Sequence, residues 1–470
     1  MMKRADPNPA LTTLALLLIV VAATATNVDP SSAAQAPRAA RSTGGRPSTV
    51  LIHDDSVSRF RVPPPERFSR HGIQNATLII AYVPDGTDNA YGDTCYAWPS
   101  EAMDAFRYAA DIWETLINST VAVKINACWT DLGPGILGYG APTSYHRDFG
   151  GAVMADTWYQ ASLANALAGG DVNDTDGYDY DNDGVDADAE MVLAYNRGFD
   201  WYYGTDGNTP SNRVDLASVV LHEICHGLGF SGSMDVNFGV GSWGLGTSFP
   251  VAYDRFTKDG AGTSLIDTTA YHNPSPALRG ALTSGEVYFD GPKANAANGG
   301  SRPELYAPMP WKPGSSYAHL DESYNNTVNA LMTFSISDGV SEHSPGPVAL
   351  GMLEDMGWAS ASEAPQVTSI SPSSGTFTET VQITNLAGQD FQVGATVRLA
   401  KSGQSPIIAT NVTVVNSDKI TCDLNLNGAA VGLWDVVVAN LDGRSGALTS
   451  GFIVFASPPT RVHLPIVVRN

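Results

Sequence analysis

The spacing of hydrophobic residues in the first two thirds of the chain predicts strands that alternate with helices. Residues 76–83 (ATLIIAYV) form an uninterrupted apolar run, which is typical of a buried strand. Residues 100–117 carry apolar side chains every three to four positions, which predicts a helix with one buried face and Ser100 as its N-cap. Further strands are predicted at 121–127 and 151–155. This order indicates an α/β or α+β domain, and we expect the α+β class over residues 75–358.

The pattern changes after Trp358. A polar linker (ASASEAPQ) follows, and hydrophobic residues then occupy every second position in several short runs between Val381 and Val438. The turn dipeptides Asn-Gly at 427–428 and Asp-Gly at 442–443 separate these runs. About ninety residues of short strands is the size of an immunoglobulin-like β-sandwich. We therefore predict an all-β sandwich over residues 364–456.

Both ends of the chain are predicted to lie outside these domains. Residues 1–34 have the three parts of a secretory signal, namely basic residues, a short apolar run and small residues. An uncleaved anchor is the alternative, although the run is short for a membrane span. Residues 35–74 are rich in Pro, Arg and Ser and are interpreted as a linker or propeptide, and residues 457–470 as a tail. We expect a secreted, extracellular or cell-surface protein with no membrane span once the signal is removed.

The net charge of the chain indicates which classes of partner it can bind. The chain has 48 Asp and Glu against 26 Lys and Arg, so its formal net charge is −22. A phosphate backbone would repel such a chain, which argues against nucleic-acid binding, whereas a chain this acidic can bind divalent cations.

Cys95 and Cys128 flank a predicted helix in one domain and are expected to form a disulfide after export. Cys225 and Cys422 lie in different predicted domains and are expected to be free.

One motif carries chemistry: His222-Glu223-Ile224-Cys225-His226. Apolar residues precede it with helical spacing, and Asp215 can cap the start of that helix. Residues four apart share one face of a helix, so both imidazoles can bind one metal ion, while Glu223 can reach a water molecule beside it. Two surface histidines on an ordinary helix are the alternative interpretation.

Catalytic zinc needs a third protein ligand, which the motif does not supply. A compact metzincin would place it six residues after the second histidine, but that position is Gly232. Sequence reasoning leaves several candidates for the third ligand open: His272, His319, His343 and Glu322.

Several short runs resemble the leishmanolysin type of metzincin zinc peptidase. They are HEICHGLGF at 222–230, YAHLDE at 317–322 and NALMT at 329–333. In that family a long insertion separates the helix from the third histidine, and a Met-turn places a methionine beneath the metal ligands. The resemblance assigns these roles: zinc ligands His222, His226 and His319, catalytic base Glu223, and Met-turn residue Met332.

Longer runs carry two further resemblances. YDRFTKDG at 253–260, the stretch 305–322 and PGPVALGMLEDMGW at 345–358 look like a group of bacterial secreted proteins classed as metalloproteases by sequence. SISPSSGTFTETVQITNLAG at 369–388 resembles the IPT/TIG family of immunoglobulin-like domains. That second resemblance implies a β-sandwich that positions a neighbouring domain or binds a surface partner.

An acidic run between residues 179 and 190 suggests a second metal site. Oxygen ligands at positions 1, 3, 5 and 12 and a glycine at position 6 match the calcium-loop template, although positions 8 and 9 depart from it. The candidate calcium ligands are Asp179, Asp181, Asp183 and Glu190. A solvated acidic turn is the alternative interpretation.

The leading hypothesis from the sequence is a secreted zinc metalloendopeptidase that acts on protein or peptide substrates. Glu223 would activate a zinc-bound water to attack the peptide bond. We expect the substrate to pair with a sheet edge, with 150–155 as the candidate edge. The alternatives are an inactive metalloprotease-like adhesion or scaffold protein and a zinc hydrolase for non-peptide substrates.

Overall fold

The computed structural model describes most of the chain apart from its ends and a few internal segments. The described residues are 49–65, 68, 75–172, 189–360, 364–391, 394–440 and 444–456, together with the backbone of 38–41. The predicted signal at 1–34, the tail at 457–470 and the calcium candidates Asp179, Asp181 and Asp183 lie outside the described residues. Helix makes up 19 % and strand 36 % of the structure, consistent with the expected α+β class.

Six helices occur in the described residues, all before the β-rich C-terminal part. They are α1 (Ser100–Leu116), α2 (Ala161–Ala168), α3 (Leu216–Gly227), α4 (Pro276–Leu282), α5 (Pro292–Ala297) and α6 (Gly346–Met356). Short 3₁₀ helices lie at Tyr253–Phe256, Glu322–Tyr324 and Ala330–Met332. Helix α1 begins at the predicted residue, but Ser100 is not its cap, because Pro99 occupies the N-cap position and makes no side-chain hydrogen bond there.

The structure describes twenty strands in this first part of the chain. They are β1 (Arg38–Arg41), β2 (Leu51–Val57), β3 (Arg61–Val62), β4 (Leu78–Tyr82), β5 (Ile117–Asn118), β6 (Val123–Thr130), β7 (Ile136–Pro142), β8 (Ser144–Arg147), β9 (Tyr159–Gln160), β10 (Met191–Asn196), β11 (Trp201–Tyr202), β12 (Val214–Asp215), β13 (Asp235–Asn237), β14 (Val240–Ser242), β15 (Thr257–Asp259), β16 (Val287–Phe289), β17 (Glu304–Leu305), β18 (Ser335–Asp338), β19 (Ser341–Glu342) and β20 (Ala359–Ser360). The strand predicted at 151–155 is wrong, since these residues form turns and bends.

A six-stranded sheet in the order β18-β2-β7-β10-β6-β4 forms the centre of this part. Strands β4, β6 and β10 are parallel, β7 runs antiparallel to β10, and β2 runs antiparallel to β7. The stretch 35–74, which the sequence indicates as a linker or propeptide, contributes β2 and β3 to the fold, so these residues are not a plain linker. Strand β2 pairs with β7 and β18, and β3 pairs with β19. Backbone pairing with distant strands, rather than its own hydrophobic pattern, places β2 in the sheet.

Helices α1 and α3 pack against each other and share the main hydrophobic core with the sheet. The Trp113 indole of α1 donates a hydrogen bond to the Leu221 carbonyl of α3 over 3.0 Å. Every residue of α3 is buried, so the helix that carries the motif lies inside the domain rather than on its surface. This burial argues against the interpretation of two surface histidines.

Cys95 and Cys128 form the predicted disulfide, with a Cα–Cα separation of 5.2 Å. Cys225 and Cys422 are free thiols, and both are buried. No helix in the described ranges is long and apolar enough to cross a membrane.

Residues 364–456 form two sheets around a separate hydrophobic core. Their strands are β21 (Gln366–Ser371), β22 (Ser374–Thr376), β23 (Thr380–Gln389), β24 (Thr396–Ala400), β25 (Ile407–Ile408), β26 (Thr410–Asn416), β27 (Lys419–Asn425), β28 (Gly432–Ala439) and β29 (Ser445–Phe455). The sheet orders are β21-β23-β27-β26 and β22-β29-β28-β24-β25. The period-two pattern of the sequence thus corresponds to strands with one buried face.

Candidate metal centre

Helix α3 is fixed at its start by a buried carboxylate. The Asp215 side chain accepts a hydrogen bond from the Ser218 backbone N–H over 2.8 Å, as the sequence predicts for an N-cap. Asp215 also accepts from Thr209 Oγ1 at 2.8 Å and lies 3.0 Å from His343 Nε2. These contacts hold the first turn of the helix two turns before the motif.

Three histidine side chains converge beside α3. The Nε2 atoms of His222 and His226 are 3.0 Å apart, and each lies 3.2 Å from the Nε2 atom of His319. The three imidazoles are at most 1 % exposed. They form a group that could hold a metal ion, and within the described ranges no other such group of His, Cys, Asp or Glu occurs.

Each imidazole is oriented by a backbone carbonyl on its far side. The Nδ1 atoms donate to carbonyl oxygens at 2.6–2.8 Å: His222 to Leu331, His226 to Phe230 and His319 to Ser315. A neutral imidazole that donates from Nδ1 has a lone pair at Nε2. Three lone pairs within about 3 Å repel one another unless a cation lies between them, so this donor set fits a metal ion.

Burial keeps these imidazoles neutral. It lowers the pKa of His222 to about 4, although the bond to the Leu331 carbonyl acts in the opposite direction. Burial and the neighbouring histidines hold the pKa values of His226 and His319 well below the usual range. Metal ligation requires the neutral form, so the site is ready for a cation near neutral pH.

A loop with one residue in the left-handed region places His319 at the site. Tyr317 has a backbone φ of 73°, and the left-handed region is unfavourable for a tyrosine. Two contacts hold it there: its hydroxyl donates to Asp254 Oδ1 over 2.9 Å, and its carbonyl accepts from the Tyr253 hydroxyl over 3.0 Å. A Cβ at Gly232, where a compact metzincin would have its third ligand, would lie 2.3 Å from Asp254 Oδ1, so this buried carboxylate leaves no room for a side chain there.

The turn at Ala330–Met332 closes the site from another side. Its Leu331 carbonyl holds His222, and the Met332 carbonyl accepts a hydrogen bond from the Leu320 backbone N–H over 2.8 Å. Met332 is completely buried. The predicted Met-turn residue therefore belongs to a turn that contacts the helix ligand and the residue after His319.

Glu223 lies against strand β7. A Cβ at Gly138 would be 3.1 Å from Glu223 Oε1, and one at Gly140 would be 2.4 Å from the Glu223 carbonyl oxygen, so the strand approaches through glycines. Within the described residues, neither carboxylate oxygen of Glu223 has a hydrogen-bond partner of normal geometry. Burial raises the pKa of Glu223 well above its usual value, and the Leu51 backbone N–H acts in the opposite direction.

The other candidates for the third ligand lie elsewhere. His272 and Glu322 are exposed. His343 is buried and pairs with Asp215 at the start of α3, where sequence reasoning did not place it. Sequence reasoning also missed Asp254 and Tyr317, because their link spans 63 positions and follows no short motif.

Glu190 is the only calcium candidate within the described residues. It is fully buried, and its two carboxylate oxygens accept hydrogen bonds from the Lys124 backbone N–H and from Asn165 Nδ2. Burial raises its pKa to about 7. Within the described residues, this carboxylate therefore links β6 and α2 to the start of β10 by hydrogen bonds.

Comparison with known families gives one partial match. The model of the family described as SPBPB7E8-like matches residues 185–240, a stretch that contains β10, α3 and the His-Glu-x-x-His motif. The match covers too little of the chain to assign it to that family. No curated protein matches the chain significantly.

Proposed function

We propose that this protein is a secreted zinc metalloendopeptidase. The proposal rests on three buried imidazoles whose Nε2 atoms lie within about 3 Å of one another. A buried glutamate, Glu223, lies on the same helix as two of these histidines. Three imidazoles and no thiolate are a donor set that suits zinc, and three protein ligands are typical of catalytic rather than structural zinc. The secretory signal pattern of the sequence supports export.

The chain's own residues account for positioning and proton transfer. Zinc in this site would supply a Lewis acid that acidifies water and polarises the scissile carbonyl. Glu223 takes a proton from the attacking water and passes it to the leaving amine. The carbonyls of Leu331, Phe230 and Ser315 keep the three imidazoles in place throughout.

We further propose the leishmanolysin type of metzincin for residues 75–358. Two observations support this assignment. The third histidine comes from a distant loop, and the buried turn at Met332 contacts both α3 and that loop. For residues 364–456 we propose an IPT/TIG-like immunoglobulin sandwich, supported by two sheets around one core. Such a module would position the peptidase or bind a partner at a surface.

Calcium binding by the acidic stretch 179–190 is a secondary proposal. It rests on the spacing of acidic residues in the sequence. If this stretch binds calcium, millimolar Ca²⁺ should raise the melting temperature, and Asp181→Asn/Asp183→Asn should remove that increase. An unchanged melting temperature in the wild type would favour a solvated acidic turn.

Glu223→Gln tests the proposed function. Protein purified from the medium of a secreting host should hydrolyse casein in zymography, and a chelator should abolish this hydrolysis. Glu223→Gln should lose hydrolysis and keep zinc near one ion per chain, whereas the matched control Glu322→Gln, at an exposed glutamate, should behave as wild type. Full activity in Glu223→Gln contradicts the mechanism, and no hydrolysis by any form favours the inactive scaffold.

A further inference from the structure

Strand β2 fills a slot between two strands that are remote from it in sequence. It pairs antiparallel with β7, through Leu51 opposite Gly138, and parallel with β18. Without β2, the described sheet would have a gap between β7 and β18, and the backbone groups on both sides of that gap would be free to bind an extended peptide.

This slot runs directly past the candidate metal centre. Gly138 lies against the Glu223 carboxylate, and the Leu51 N–H faces the same side chain. On the other side, the Val50 N–H donates to the Gly314 carbonyl over 2.8 Å, one residue before the carbonyl that holds His319. The Ile52 N–H donates to the Phe334 carbonyl over 3.0 Å, two residues after Met332.

The centre is closed while this segment is in place. Glu223, His226 and His319 are completely buried, and His222 is 1 % exposed. A peptide bond cannot reach Glu223 unless some covering element moves. Residues 49–52 are the part of the chain that passes between Glu223 on one side and the exit of the Met332 turn on the other.

The segment is held by backbone pairing and by polar side-chain contacts such as that of His53 Nε2 with Asp338 Oδ1 at 3.0 Å, rather than by buried apolar side chains. In β2 only Leu51 is buried among seven residues, and Val57 is 60 % exposed. Its pairing with β7 comprises two residues with a register shift, whereas β10 pairs with β7 over five consecutive residues. Few apolar side chains would therefore lose their contacts if the segment left, in contrast to a central strand.

We propose that residues 49–62 are an internal inhibitor that occupies the substrate channel of the peptidase and leaves it before a substrate binds. This inference rests on the proposed function. The incoming substrate is an extended peptide that runs in the direction of β2, antiparallel to β7, with an apolar side chain in the buried position of Leu51.

Leu51→Asp in the full chain tests whether the segment is a displaceable inhibitor or a permanent strand of the sheet. A buried carboxylate beside Glu223 weakens the segment's hold. If the segment is an inhibitor, hydrolysis of a fluorogenic peptide rises at least about tenfold, and backbone amides of β7 and β18 exchange hydrogen faster. The matched control is Val57→Asp, at an exposed position of the same strand, which leaves both readouts unchanged. Lower activity of a folded Leu51→Asp protein overturns the proposal.

A second experiment covers the case in which Leu51→Asp does not fold. A recognition sequence for a specific protease is inserted between Gly72 and Ile73 of the full chain, and the chain is then cut. The cut protein should release its N-terminal piece on gel filtration at low denaturant and gain activity. A synthetic peptide of residues 49–62 should bind it and inhibit it, whereas the same peptide with Leu51→Asp should not.

These outcomes also separate the inference from the proposed function. Binding of the peptide to the cut Glu223→Gln protein, measured by fluorescence anisotropy, does not require activity. Peptide binding without hydrolysis by any form leaves the inhibitor in place and contradicts the peptidase. Hydrolysis that is equal in cut and uncut protein, with no binding of the peptide, overturns the inhibitor and leaves the peptidase.

Discussion

His319→Ala should remove most of the zinc affinity, because this residue supplies one of only three imidazoles. A nanomolar site corresponds to a binding free energy of about 12 kcal/mol. If the three imidazoles, which are held alike by backbone carbonyls, contribute similarly, one of them accounts for about 4 kcal/mol, or about a thousandfold in affinity.

The assay is competition for zinc with a chromophoric chelator, together with metal analysis of the purified protein. His272→Ala and Glu322→Ala are the matched controls, since both residues are exposed and neither belongs to the group of three histidines. Both controls should bind zinc as wild type does, and circular dichroism should show that all variants are folded. Wild-type zinc affinity in His319→Ala, or loss of zinc in Glu322→Ala, would refute the assignment of the third ligand.

Three further predictions concern the support of the site. Tyr317→Phe removes a hydrogen bond to the buried Asp254 carboxylate. The variant should have a free energy of unfolding lower by about 2 kcal/mol in a denaturant titration. It should also bind zinc more weakly in chelator competition. Burial raises the pKa of Glu342 to about 8, so its contribution to stability is lost as pH rises from about 4.5 to 8; Glu342→Gln should therefore gain melting temperature relative to wild type at pH 9 but not at pH 5. Cys95→Ala/Cys128→Ala opens a loop of 33 residues and should cost about 2–4 kcal/mol in the same denaturant titration. An unchanged unfolding midpoint in the first or third variant, or a pH-independent difference in the second, would contradict these accounts.

Local signals in the sequence were sufficient for the helix that carries the motif. Apolar spacing, the Asp215 cap and the i, i+4 histidines predict α3 and its two metal candidates, because a helix is specified by residues close in sequence. The C-terminal strands were predictable for the same reason, through their period-two pattern. His319 needed the resemblance to a family, since spacing alone left four candidates.

Contacts between distant residues account for what the sequence did not reveal. Strand β2 (LIHDDSV) lacks a regular apolar pattern, because backbone pairing with β7 and β18 holds it rather than a buried face. The buried Asp254 has the sequence surroundings of a surface turn, and only the fold brings it to Tyr317. Glycine at positions 138 and 140 is explained only by the fold, because Glu223 of α3 packs against both residues.

The most direct test of the central claim is the rate of peptide hydrolysis as a function of zinc bound per chain. Metal-free protein, both intact and cut after Gly72, is titrated with zinc, and the occupancy and the rate are measured in the same samples. Zinc-dependent peptidase activity predicts no hydrolysis at zero occupancy, a rate proportional to occupancy, and a plateau at one ion per chain. Hydrolysis that persists in metal-free protein, or saturation without any hydrolysis, would contradict it.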